Sequence, residues 1–369
     1  MNRLFRWDQT GLFLLALAAG ILPFAVPEVC AAALREGLTL CSGPLLLSLF
    51  PFLVVSRLLI QCPESDLLAL PFRLAACGIG IRTPCAARVL CIGFLGGFAP
   101  AASAAAQAVR TGQLTAEEAD ALLPACICSG PSFVVLTVGQ SLLGSAELGV
   151  LLFAAQSTAN YLTAALLNRF AGVRSVKPGS AAPASPAPPR LDEILADAAI
   201  TYCKLCGFIL FFRMLAAGAG ALLPAGAGTL CSILLEVCSG CDLASRTGRW
   251  GSLLCCAALS VQGLSVLLQV RTICPPEMTL RPLYRARMLH LPLSLALFYL
   301  LLPGGEADVF STLSARVLLM RRVPPDCALL VFAVCCMAAC TLRSGIRQVE
   351  QKQMARNAGG CCINSKTLL

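Results

Sequence analysis

Gly93-Phe94-Leu95-Gly96-Gly97-Phe98-Ala99-Pro100 lies in the middle of an apolar stretch, 89 to 109, that is long enough to cross a bilayer. Three glycines and a proline within these eight residues disrupt a continuous helix. Irregular backbone is tolerated at membrane depth only where protein or water covers its free polar groups. The stretch is therefore read as re-entrant or broken, entering and leaving on one side.

The surrounding chain is apolar almost throughout. Of 369 residues, 57% are hydrophobic and 13% charged, whereas about 25% of a soluble domain is charged. That is too little charge to cover a water-facing surface. Runs such as Leu12 to Val26, Leu45 to Ile60, Ala199 to Leu223, Leu253 to Val270 and Ala328 to Thr341 approach the ~20 apolar residues needed to cross a ~30 Å hydrocarbon core. Unbroken apolar runs exclude the alternation of a membrane barrel. The expected class is all-α, a polytopic helical membrane protein.

Connector charges orient the chain, because Lys and Arg concentrate on the cytoplasmic side. The start, Met1-Asn2-Arg3-Leu4-Phe5-Arg6, is basic and hence inside. A first span at about 11 to 33 goes out and a second at about 38 to 61 returns, leaving Arg73, Arg82 and Arg88 inside. If 89 to 109 crossed fully, spans at 121 to 143 and 148 to 168 would put Arg169, Arg174, Lys177 and Arg190 outside. Treating it as re-entrant returns that connector to the inside.

The same treatment is needed at 229 to 245, which holds Ser239-Gly240 and the acids Glu236 and Asp242. With span five at 199 to 223, a crossing at 251 to 270 and spans at 288 to 303 and 324 to 342, eight spans and two re-entrant segments result. Both termini are then cytoplasmic. Arg246, Arg249, Arg316, Arg321 and Arg322 remain outside, against the charge rule.

Written in order, the two halves resemble one another. Pro51-Phe52-Leu53-Val54-Val55-Ser56-Arg57 pairs with Gly207-Phe208-Ile209-Leu210-Phe211-Phe212-Arg213, Gly96 to Ser103 with Ser239 to Ser245, and Ser129-Gly130-Pro131-Ser132-Phe133 with Gln262-Gly263-Leu264-Ser265-Val266. Order is kept while direction reverses, as in the inverted-topology repeats of many secondary transporters. The expected divisions are an anchor helix (1–37), a first repeat (38–171), a Pro/Ala/Ser-rich cytoplasmic linker (172–194), a second, inverted repeat (195–303) and a C-terminal span with a basic tail (304–369). Thr115-Ala116-Glu117-Glu118 is a capping box opening a helix. Ala31-Ala32-Ala33 could mark signal cleavage, but a run this long reads better as an uncleaved anchor.

The net charge of +9 is spread over connectors and tails, which points to anionic lipid and not to nucleic acid. Most of the 22 cysteines sit in apolar runs as small hydrophobes. The pairs Cys203/Cys206 and Cys238/Cys241 have zinc-like spacing, but 31 residues separate Cys206 from Cys238, beyond a zinc-ribbon interval. No cofactor is called for. The sole histidine, His290, placed at a span's inner end, and the lack of a P-loop argue against an enzyme or an ATP-driven pump.

Leu49-Phe50-Pro51-Phe52-Leu53-Val54, Pro71-Phe72-Arg73, the Gly93 to Ser103 segment, Arg110-Thr111-Gly112-Gln113-Leu114-Thr115, Cys128-Ser129-Gly130-Pro131-Ser132-Phe133, Leu235-Glu236-Val237-Cys238-Ser239-Gly240 and Gln262-Gly263-Leu264-Ser265-Val266 together give a further reading. In this order they resemble the sporulation integral membrane proteins of the YlbJ type, with nucleoside-recognition or Gate domains, over roughly 38 to 300. The resemblance implies Gate repeats in an inner-membrane protein needed for spore cortex formation, akin to nucleoside and ferrous-iron transporters. It implies no particular substrate. Where the family pattern has a lysine after the first glycine-rich break and an asparagine before Ser-Gly-Pro, this chain has neither, reading Ala101-Ala102-Ser103 and Cys126-Ile127-Cys128.

The candidate solute or ion site comprises Gly97, Pro100, Ser129, Gly130, Asn160, Glu236, Gly240 and Gln262, with Gln156 and Gln269 as further polar groups. An ionisable group at membrane depth costs about 2.5 to 3.5 kcal/mol and needs a partner or a use. Glu236 precedes the Ser239-Gly240 break, where it would couple a cation or proton or pair with Arg213 or Lys204. Arg57 and Arg213 fall near span ends, within reach of the interface. The expected partners are the bilayer, a nucleoside-like solute or metal ion, and a second copy or sporulation membrane proteins. A transporter and a non-transporting membrane scaffold are the two functions carried forward.

Overall fold

A computed structural model describes residues 9–61, 65–172 and 191–302, and among them every regular element is helical. In chain order these are α1 (Gln9–Ala25), α2 (Pro27–Ser42), α3 (Pro44–Gln61), α4 (Ser65–Leu68), α5 (Leu70–Ile79), α6 (Pro84–Gly96), α7 (Phe98–Arg110) and α8 (Ala116–Cys126). A π-helix (Ser132–Leu142) follows, then α9 (Ala146–Ala171), α10 (Leu191–Leu222), α11 (Ala225–Leu235), α12 (Val237–Ser245), a 3-10 turn (Gly248–Trp250), α13 (Gly251–Val261), α14 (Gly263–Ile273) and α15 (Arg281–Leu301).

Three helical stretches, Ala146–Ala171, Leu191–Leu222 and Gly248–Ile273, are long and apolar enough to cross a membrane, and five qualify if each of two bent pairs is one span. The protein is a helical, multi-pass membrane protein. The eighth span expected at 324 to 342 and most of the linker lie outside the described residues.

The first expected span is not a single rod. The run at 11 to 33 turns through 108° between α1 and α2. Pro27 stands in the first turn of α2, where its missing N–H costs nothing, so the chain restarts a helix in a new direction there. A second bend, of 106°, separates α5 from α6. The capping box forms as read: Thr115 Oγ1 accepts the Glu118 N–H at 3.1 Å and a Glu118 carboxylate oxygen accepts the Thr115 N–H at 3.2 Å.

Both glycine-rich stretches fold back as hairpins. A Cβ at Gly93 in α6 would lie 3.2 Å from the Cβ of Ala101 in α7, yet residues eight apart in one straight helix stand about 12 Å apart. The turn is at Gly97, with φ 83° and ψ −164°, a conformation open almost only to glycine. Pro100 sits in the first turn of α7, again where no N–H is required. Likewise a Cβ at Gly240 in α12 would come within 2.8 Å of the Ile233 Cα in α11, which puts the second turn at Glu236.

The hairpins point in opposite directions. From Phe98 at a cavity in the bundle, α7 runs past Ser103 to Arg110 at one end, joining Arg57 of α3, Asp197 of α10 and Thr272 of α14 in a vestibule there. From the same end, α10 passes the cavity at Ile209 and continues away. Next, α11 returns antiparallel to α10, with Gly228 against Gly220 and Ser232 against Ala216, and reaches the cavity at Glu236.

Each hairpin tip abuts a break between the helices that follow it. A Cβ on Gly97 would fall 2.6 Å from the Gly130 nitrogen, in the gap between α8 and the π-helix. A Cβ on Gly263, where α14 begins, would fall 2.9 Å from the Leu235 carbonyl oxygen at the second tip. Gly130 and Gly263, which the sequence sets in register, each lie against a hairpin tip. The pairing of Gly96-Gly97 with Ser239-Gly240 shifts by three to four residues, because the second chain turns at Glu236 and Gly240 belongs to the hairpin's own packing.

Small residues allow the closest contacts, as expected where lipid supplies no hydrophobic drive between helices. Gly139 of the π-helix would place a Cβ 2.5 Å from the Gly149 Cα of α9. The alanines of α7, from Ala99 to Ala108, are buried among α3, α6, α8 and α14.

Candidate functional site

The two tips and the first break line a partly open cavity of about 60 Å³ in the bundle. Its walls are mostly apolar, with Leu45 and Leu49 from α3, Phe98 from the first hairpin and Val266 from α14. The polar side chains lining it are Ser129, Ser132, Glu236, Cys238 and Gln269, together with the backbone at Gly96 and Gly130.

Glu236 is buried, and both carboxylate oxygens are engaged. One accepts the Cys238 N–H at 2.9 Å and the other the Ser239 N–H at 2.7 Å. The carboxylate therefore caps α12, where the free N–H groups and the positive end of the helix dipole favour a negative charge. No hydrogen bond or salt bridge joins it to Arg213 or Lys204: Arg213 reaches Glu36 of α2 at 2.7 Å, and Lys204 lines the vestibule.

Gln269 lines both the cavity and the vestibule. Its amide nitrogen donates to Ser265 Oγ at 2.9 Å, and its buried Oε1 has no partner. The vestibule, about 150 Å³, holds Arg57, Arg110 and Lys204 with Asp197 the single acid among its lining groups. Arg57, nearly enclosed, donates to Asp197 at 2.6 Å, Thr201 at 3.2 Å and Ser103 at 3.3 Å, so it is held by α10 and α7.

Behind the cavity a polar cluster joins the two helix breaks. The Ile127 carbonyl, released where α8 ends, accepts from Arg287 at 2.5 Å, Gln262 at 3.3 Å and Asn160 at 3.4 Å. A second nitrogen of Arg287 donates to the Ser260 carbonyl at 3.3 Å, in the last turn of α13. Next to it, Gln156 donates to the Cys256 carbonyl and to Ser260 Oγ, which lies 2.5 Å from Ser294 Oγ. His290 Nε2 lies 3.2 Å from the Gln156 carbonyl oxygen.

The sequence-expected residues thus separate into three groups. Ser129, Gly130 and Glu236 meet at the cavity, with Gly97 supporting its wall. Asn160 and Gln262 belong to the cluster around Ile127. Pro100 and Gly240 shape their hairpins and contact neither. Gln262 also holds a left-handed backbone, φ 62°, at the break itself, which is unusual for a side chain larger than glycine's.

Compared with known protein families, curated proteins and solved structures, the chain matches none.

Sequence reasoning missed Arg287 as a central residue and put His290 at a span's inner end. In fact α15 begins at Arg281, and Arg287 and His290 are buried, at 8% and 1% exposure. The available signal was spacing: Arg287, His290 and Ser294 recur at three and four residues, one face of a helix. Charge counting assigned all the arginines between 271 and 287 to a connector and so concealed it. That connector is pinned by Asp120, which accepts from Thr279 N and Oγ1 and from Leu280 N at 2.8, 2.6 and 3.1 Å. In the same loop, burial pushes the Cys274 thiol up to about 12.

Proposed function

We propose that this chain is a transporter-like membrane protein of the sporulation YlbJ type, in which two inverted Gate repeats recognise or move a small solute between their hairpin tips. It acts at the cell membrane in spore cortex formation, with its N- and C-termini in the cytoplasm. One observation carries the reading: two hairpins enter the bundle from opposite ends, and their tips share a cavity within it. Interrupted helices around a mid-depth site are the construction of many secondary transporters.

The vestibule supplies the approach from the cytoplasmic side, and Gln269 is the wall it shares with the cavity. An engineered cavity of roughly 150 Å³ admits benzene, so about 60 Å³ suits an ion or a few waters. A nucleoside-like solute requires the tips to part, with Gly97 leaving Gly130. The alternative, a membrane scaffold for a second copy or for sporulation partners, draws on the same direct packing of tip on break.

The deciding experiment is flux into proteoliposomes across nucleosides, small metabolites and metal ions. The transport reading expects at least one solute to be carried, and Gln269→Leu to reduce its flux about tenfold without lowering thermal stability. Absence of flux for every class would reject transport in favour of the scaffold.

A further inference from the structure

Arg287 is a cation enclosed in the bundle whose described hydrogen bonds go to no carboxylate. Its two terminal nitrogens donate to the Ile127 and Ser260 carbonyls, and its Nε is buried without a partner. Both carbonyls belong to the C-terminal ends of half-helices, α8 and α13, where the helix dipole is negative and the last carbonyls have no partner within the helix. Two more oxygens lie on the side chains that meet the Ile127 carbonyl. Asn160 and Gln262 each give an amide N–H to Ile127, and their own carbonyl oxygens, Oδ1 and Oε1, are buried and unpaired.

Two carbonyls at helix C-termini, with two unpaired amide oxygens on the residues beside them, are uncharged oxygen donors of the kind that hard cations take. Unwound carbonyls and half-helix C-terminal ends hold coupling cations in transporters built on broken helices. We infer that Arg287 is a tethered cation: its guanidinium occupies an oxygen site that would otherwise bind Na+, so that the two helix breaks are joined without a dissociable ion. Arg287 is a positioning residue in this account. It fixes the breaks at Ile127 and Gln262, against which the hairpin tips rest.

The inference goes beyond the transport reading, and its readout is stability, so its failure and that of transport are separate results. Purified full-length protein, Arg287→Met and Arg287→Lys are melted in detergent with NaCl or choline chloride at equal ionic strength. Emptying the site is expected to create Na+ dependence: Na+ raises the melting temperature of Arg287→Met by about 3 °C more than that of the unaltered protein. Arg287→Lys, which keeps a tethered charge, responds as the unaltered protein does. An Arg287→Met protein with the unaltered protein's Na+ response overturns the inference. If Arg287→Met folds only when prepared in Na+, or fails to fold while Arg287→Lys folds, a cation is required there and the inference stands. Failure of both variants in either salt overturns it, since the need would then be for the guanidinium's shape and not for a cation.

Discussion

Replacing Gly97 by alanine probes the contact on which the arrangement of tip and break depends. The backbone there has φ 83° and ψ −164°, and holding a side chain in such a region costs about 1–3 kcal/mol. The new methyl would also stand 2.6 Å from the Gly130 nitrogen and 2.9 Å from its Cα. Both are backbone atoms, which cannot swing aside as a flexible side chain can, so overpacking adds about 1–3 kcal/mol. The sum, roughly 2–6 kcal/mol, corresponds to a fall in melting temperature on the order of 5–10 °C. Gly144 supplies the control: it too has a positive φ, 76°, but nothing lies within 4 Å of its added Cβ, so only backbone strain of about 1–2 kcal/mol remains. The two alanine variants, purified in the same detergent, are compared by thermal melting. Equal losses would refute the tight seating of the first hairpin on the helix break that follows it.

Glu236→Gln removes the charge from the α12 cap and is expected to cost about 0.5–2 kcal/mol, with faster alkylation of Cys238 beside it; an unchanged alkylation rate would show that the cap does not hold the tip. Asp120→Asn weakens three hydrogen bonds to the 274–280 connector, a loss of about 1.5–3 kcal/mol for bonds to a charged acceptor, and amide exchange at Thr279 and Leu280 should rise. Exchange as slow as in the unaltered protein would mean that the loop is held by something else. Arg110 lies at the vestibule end, while Arg246 and Arg249 follow α12 at the other, where Arg246 pairs with Asp242 and Arg249 rests 5.1 Å from the Trp250 ring. Cysteines at 110 and 249, in a background with the native cysteines replaced, should therefore react with an impermeant reagent from opposite faces of the membrane. Labelling from one face would remove the opposed-hairpin topology.

The hairpins were legible because they violate a local rule. Gly93, Gly96, Gly97 and Pro100 within one apolar run, and Glu236 and Asp242 within another, are hard to place in a full span, and the connector charges demanded a return at both. The first bend was not legible in the same way. Pro27 was visible, but a proline in a helix's first turn is compatible with a straight restart or a sharp one, and the 108° angle depends on what α2 packs against, which is α10.

The candidate site divides along the same line. Ser129, Gly130 and Glu236 could be named from sequence, since breaks at membrane depth need glycine, and acids there need a partner or a use. The cap made by Glu236 could not be named: ion coupling, pairing with Arg213 and helix capping use the same carboxylate, and the 2.7 and 2.9 Å contacts with Ser239 and Cys238 appear only in the folded chain. Arg287 is the clearest case. Connector charge counting treats every arginine near a span end alike, because it measures position along the chain.

By itself the sequence determined that the chain is helical, that it crosses a bilayer several times and that its two glycine- or acid-bearing stretches are interrupted, since these follow from local composition and from the cost of exposing backbone to lipid. Tertiary structure alone decided that the Ile127 and Ser260 carbonyls meet the same guanidinium. Residues 127, 160, 262 and 287 come together only when two helix breaks pack side by side, and nothing in the local pattern of an apolar helix records which neighbour will satisfy a carbonyl it leaves free.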